Sequence, residues 1–63
     1  MTRYNYIVRE VRMDGTTCPH RCEDIHEARE KCEELQMIGD WMGTIAAEIV
    51  EINTGKVVEV YDI

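Results

Sequence analysis

Four residues able to ligate a soft metal ion lie close together in the chain: Cys18, His20, Cys22 and His26. Thiolate and imidazole are the ligand types that hold Zn²⁺ in tetrahedral sites. Cys22 and His26 stand four apart and would share one side of a helix that began a turn early. Cys18, His20 and Cys22 are separated by single residues, whereas zinc knuckles separate their ligands by about two to four. No second Cys or His pair follows to close such a site. No cofactor is therefore expected, and zinc is the one candidate these residues leave open. The same thiols offer two further chemistries. Cys18 and Cys22 would form a small disulfide if their Cα atoms came within about 7 Å. A nucleophilic thiol needs a base and an orienting third group. Cys22 with His26 is the candidate pair, and no pocket can be inferred around it, so the chain is expected not to be an enzyme and no catalytic residue is assigned.

The elements that must position these residues follow from periodicity. Residues 3–13 alternate: Tyr4, Tyr6 and Val8 on one face, and Asn5, Ile7, Arg9, Val11 and Met13 on the other. That period and the Tyr, Ile and Val content predict a strand. Asp14-Gly15 marks a turn. Residues 16–22, with the single proline Pro19, read as a loop whose first residues could pair back as a short extra strand. Residues 24–38 read as the helix. Asp24 is its N-cap, and Glu27 completes a capping pattern. Ile25, Ala28, Cys32 and Leu35 form its apolar stripe, which makes Cys32 a small core residue. Gly39 is the expected left-handed cap. Residues 45–52 and 57–63 read as a hairpin closed by Asn53-Thr54-Gly55, with Ile52 facing Lys56, Val50 facing Val58 and Glu48 facing Val60.

The expected fold is α+β, a single β-α-β-β domain spanning 1–63. Its three-stranded, mainly antiparallel sheet carries one helix on one face. The expected strand order is 1-3-2; order 1-2-3, with the first two strands parallel, is the alternative. Both faces of the last hairpin are apolar. One carries Val50, Ile52, Val58 and Val60, and the other Ile45, Ala47, Ile49, Val57, Tyr61 and Ile63. One helix covers one face, so the other is expected to meet a second copy, a partner or the chain's own loops. Ile45, Ile49, Tyr61 and Ile63 are the candidate self-association residues, and a homodimer is expected.

Composition limits the partners. The 63 residues carry 7 Lys and Arg against 13 Asp and Glu, a net charge of -6. The charged fraction is 32% and the hydrophobic fraction 44%, which is ordinary for a folded chain and too apolar for a disordered one. Acidic chains repel phosphate backbones, so direct nucleic-acid binding is not expected, although Arg3, Arg9, Arg12 and Arg21 leave a local basic edge in the first third. No apolar run approaches the roughly 20 residues that cross a bilayer. No secretory signal is visible at the N-terminus, and the odd count of three Cys argues against a disulfide scaffold. A cytoplasmic location with reduced thiols is expected. The helix face opposite the stripe carries Glu23, His26, Glu27, Glu30, Glu33 and Glu34, with Met37 at its end. Such a run reads as a solvated face, or as an acidic stripe that fits a basic groove. Trp41 follows, as a cap on the core or as an interface anchor. Glu23, Glu27, Glu30, Glu34, Met37 and Trp41 are the candidate partner-binding residues.

The whole chain resembles small acidic single-domain proteins of bacteriophages and mobile elements. The features that carry the resemblance are the strand at 4–11, the helix start Ile25-His26-Glu27-Ala28-Arg29 and the closing Glu51-Ile52-Asn53-Thr54-Gly55-Lys56-Val57-Val58. Some acidic members of that group inhibit host defence nucleases by occupying nucleic-acid sites. The resemblance thus implies a non-enzymatic protein–protein interaction module, an inhibitor or modulator of a nucleic-acid-handling host protein that acts through its acidic helix face. A small zinc-binding domain is the alternative. Size and element order also resemble the small tautomerases, whose base is an N-terminal proline. This chain begins Met1-Thr2 and its proline is Pro19, so that activity is not expected.

Overall fold

The computed structural model describes residues 3–63, apart from the side chains at positions 40–42. The elements are β1 (Tyr6–Arg12), β2 (Thr17–Cys22), α1 (Ile25–Met42), β3 (Thr44–Glu51) and β4 (Val57–Asp62). The strands form one sheet in the order β2-β1-β3-β4, and every pair of neighbours is antiparallel. The three-stranded 1-3-2 arrangement is thereby corrected, because the segment read as a loop is a full strand.

The turn before β2 is tightly specified. Gly15 takes φ +88°, and the Asp14 carboxylate accepts from the Thr16 amide at 2.9 Å and the Thr16 hydroxyl at 2.7 Å. This local closure brings Cys18 opposite Glu10 and Pro19 opposite Arg9. Pro19 is tolerated because β2 is an edge strand; the N–H that proline lacks would point away from β1 and out of the sheet. The added strand also reverses the chain before the helix. β1 and β3 are adjacent, as in the alternative order, but they run antiparallel rather than parallel.

Helix α1 begins where the capping pattern places it. The Asp24 side chain accepts from the Glu27 amide at 2.8 Å, and the Glu27 carboxylate accepts from the Glu23 amide at 2.9 Å. Its end is a correction. Gly43, not Gly39, is the left-handed cap, with φ +75° and its N–H donating to the Gly39 carbonyl. Gly39 lies inside the helix for a packing reason. A Cβ there would sit 2.5 Å from Cγ2 of Ile63 and 3.4 Å from Cβ of Thr44, so only glycine lets the helix lie this close to the chain end.

The core consists of Val8, Cys22, Ala28, Cys32, Leu35, Ala47 and Ile49, with Tyr6, Ile25, Tyr61 and Ile63 packed around it. The helix stripe is the one expected. The sheet face it covers is the one expected to self-associate, which is a second correction. Ile49 is wholly buried, and Tyr61 and Ile63 are half-buried against the core. Ile45 is exposed where the β1–β3 register shifts. The final hairpin keeps Glu48 opposite Val60, but Val50 faces Val57 across a bulge. The loop closes one residue early, with the Glu51 amide donating to the Lys56 carbonyl at 2.9 Å. Arg29 ties α1 to β4 through Glu59, with Nη2 2.8 Å from Oε1.

Candidate metal centre

On β1 the face that carries Tyr6 and Val8 continues to Glu10, and the carboxylate is 2% exposed beneath the helix side of the sheet. A buried carboxylate is costly unless its oxygens are bonded. Here the two oxygens have different partners. Oε2 accepts from the Thr44 hydroxyl and from Arg12 Nε at 3.3 Å. Oε1 lies 3.1 Å from His20 Nε2. The Thr44 hydrogen bond is the main influence holding the Glu10 carboxyl below the ordinary glutamate range; burial opposes it, and His20 and Arg12 add to it. Among the described residues no buried side-chain polar atom lacks a partner.

Cys18 is the direct cross-strand neighbour of Glu10, and His20 lies on the next pair of β2, opposite Val8. The ligand atoms of Glu10, Cys18 and His20 all lie within 4.8 Å of one another. Alternate residues of a strand share a face. The single-residue gap that does not suit a turn-borne knuckle is therefore the gap that aims Cys18 and His20 the same way. Cys18 and His20 are half-buried.

The other two predicted ligands are elsewhere. Cys22 is in the core, with its Sγ 3.7 Å from the His20 carbonyl, and His26 is exposed on the helix. The Cys22 thiol is pushed up by burial and then by Glu27, which is the reverse of an activated nucleophile. Burial likewise pushes the Cys32 thiol up to about 11. All three cysteines are free. Cys18 and Cys22 share one strand, and four strand residues span about 13 Å, beyond the roughly 7 Å limit of a disulfide. Iodoacetamide at neutral pH is expected to label Cys18 in the folded protein, and Cys22 and Cys32 only after unfolding. Peptide mass spectrometry reads the order directly.

Of the candidate partner-binding residues, Glu23, Glu27, Glu30, Glu34 and Met37 are exposed, and the Trp41 side chain lies outside the described residues. A groove of about 380 Å³ runs between β2 and α1, with His20 and Arg21 on one side and Glu27, Glu30, Lys31 and Glu34 on the other. The acidic stripe is thus interrupted by cations, and Lys31 lies 3.7 Å from Glu34. His20 belongs both to this groove and to the Glu10 cluster.

No protein-family model, no curated protein and no solved structure matches this chain. Among the described residues no helix is long and apolar enough to cross a membrane. The chain forms a small α+β domain with a Glu/Cys/His cluster, buried at Glu10 and half-buried at Cys18 and His20, that could hold a metal ion.

Proposed function

We propose that this domain binds a divalent transition-metal ion, Zn²⁺ foremost, through Glu10, Cys18 and His20. The observation that carries the proposal is the convergence of a carboxylate oxygen, a thiol and an imidazole nitrogen within 4.8 Å. Around a tetrahedral ion with bonds of about 2.0–2.3 Å, ligand atoms stand about 3.3–3.7 Å apart. His20 and Glu10 are already closer than that, at 3.1 Å, so the required adjustment falls on side-chain torsions and leaves the backbone in place. Thr44 and Arg12 engage Oε2 of Glu10, which fixes the carboxylate and turns Oε1 toward His20. Such outer partners orient metal ligands. One thiolate and one imidazole favour zinc over calcium or magnesium, which prefer all-oxygen sites. Three protein ligands leave one tetrahedral position for water or an exogenous group.

Cobalt(II) titration followed by absorption tests the assignment. Thiolate-to-cobalt charge transfer and tetrahedral d–d bands are expected in the wild-type chain, and Zn²⁺ should displace them. Cys18→Ser and His20→Ala should lose the bands, whereas His26→Ala should keep them. Bands that persist in Cys18→Ser would place the ion on another thiol and overturn the proposal.

A further inference from the structure

On the sheet face away from α1, Ile7, Val11, Val50 and Val60 surround a central ion pair, and Pro19 and Arg21 lie on its β2 border. Val60 is 60% exposed. The ion pair joins Arg9 Nη2 to Glu48 Oε1 at 2.9 Å, and its side chains remain 44% and 25% exposed. Arg9 and Glu48 are direct cross-strand partners on the two central strands, as are Ile7 with Val50 and Val11 with Ala46.

From this pattern we infer that the open face docks a second copy of the same chain, about a two-fold axis parallel to the strands between β1 and β3. That operation exchanges β1 and β3 positions within each row. Arg9 of each copy then lies opposite Glu48 of the other, and Ile7 opposite Val50. The four charges alternate in sign, and along the two central strands apolar residues meet apolar residues. A two-fold axis across the strands would instead set Arg9 against Arg9 and Glu48 against Glu48. The charge pattern therefore selects one of the two arrangements, as complementary charges do at specific interfaces. Aligned face-to-face sheets are a standard packing. Four strands at about 4.8 Å spacing and about six residues at 3.3 Å each give a face of about 15–20 Å on a side. That is small for a specific interface, so association in the micromolar range is expected.

Sedimentation equilibrium over a concentration series tests this, with circular dichroism confirming that each variant is folded. The wild type should reach a dimer, while Arg9→Glu alone and Glu48→Arg alone should each stay monomeric. An equimolar mixture of the two variants should associate, because every contact across the axis is again between opposite charges. Val60→Asn removes apolar contact, adds no charge beside Glu48, its cross-strand partner, and should also be monomeric. A wild type that stays monomeric throughout, or mixed variants that fail to associate, would overturn the inference. The metal ligands lie on the opposite face of the sheet, so either proposal can fail without the other.

Discussion

Glu10→Ala is expected to leave most of the chain unfolded at room temperature. The substitution removes the acceptor for Thr44, His20 and Arg12 together and leaves a void where a side chain was 2% exposed. Breaking a buried charged network from one side costs about 3–5 kcal/mol. A single core in a chain of this size supplies about 3–5 kcal/mol in total, so the loss matches the whole margin. Glu10→Gln keeps the volume and an acceptor for Thr44 but drops the charge that faces Arg12 and His20; its expected cost is about 1–3 kcal/mol. Urea unfolding monitored by circular dichroism ranks the three chains. If Glu10→Ala unfolded at the wild-type midpoint, the buried carboxylate would have no structural weight.

The second large effect is the response to zinc. An ion that binds only the folded chain, at a free concentration a hundredfold above its Kd, stabilises by about 2.7 kcal/mol. In a domain of this size each kcal/mol moves Tm by about 4–8 °C, so the expected rise is about 10–20 °C. Cys18→Ser and His20→Ala should abolish the shift, His26→Ala should retain it, and a chelator should reverse it. Thermal scans with and without Zn²⁺ give the answer, and a wild-type Tm indifferent to zinc would defeat the metal assignment.

What could be read from the sequence was what local chemistry decides. The helix start needed only Asp24 and Glu27, the first turn only Asp14 and Gly15, and the buried stripe only the spacing from Ile25 to Leu35. Only a short extra strand at the start of 16–22 was legible; the rest of β2 was hidden because Thr-Cys-Pro-His-Arg-Cys has neither β-branched richness nor a clear apolar alternation, and its proline argues against a strand. β1 supplies the pairing that makes it one, and its place at the edge makes the proline acceptable. The helix end turned on two glycines. The contact between Gly39 and Ile63 decides between them, and that contact joins positions far apart in the chain. The covered sheet face could not be assigned while the direction of the last hairpin relative to β1 was unknown. At the site, Cys18 and His20 were visible as residue types, but the strand that aligns them was not. Glu10 was missed although a signal existed: it is the next member of the face that runs Tyr4, Tyr6, Val8, and a carboxylate that continues an apolar face asks for partners.

Pro19 gives the two borders of the sheet unequal capacities. The outer edge of β2 lacks one hydrogen-bond donor at its middle, between the residues that form the cluster, so an incoming strand meets a gap there. β4 at the other border has no proline among Val57–Asp62, and beyond its bulge at Val57 and Val58 it offers a regular row. Edge-to-edge growth therefore has a single open end. Two copies joined antiparallel through β4 would each turn a proline-interrupted border outward, and any fibre that propagated through this sheet would have to cross that gap at every second junction. The residue that hides β2 in the sequence thus also limits polymerisation along the sheet edge.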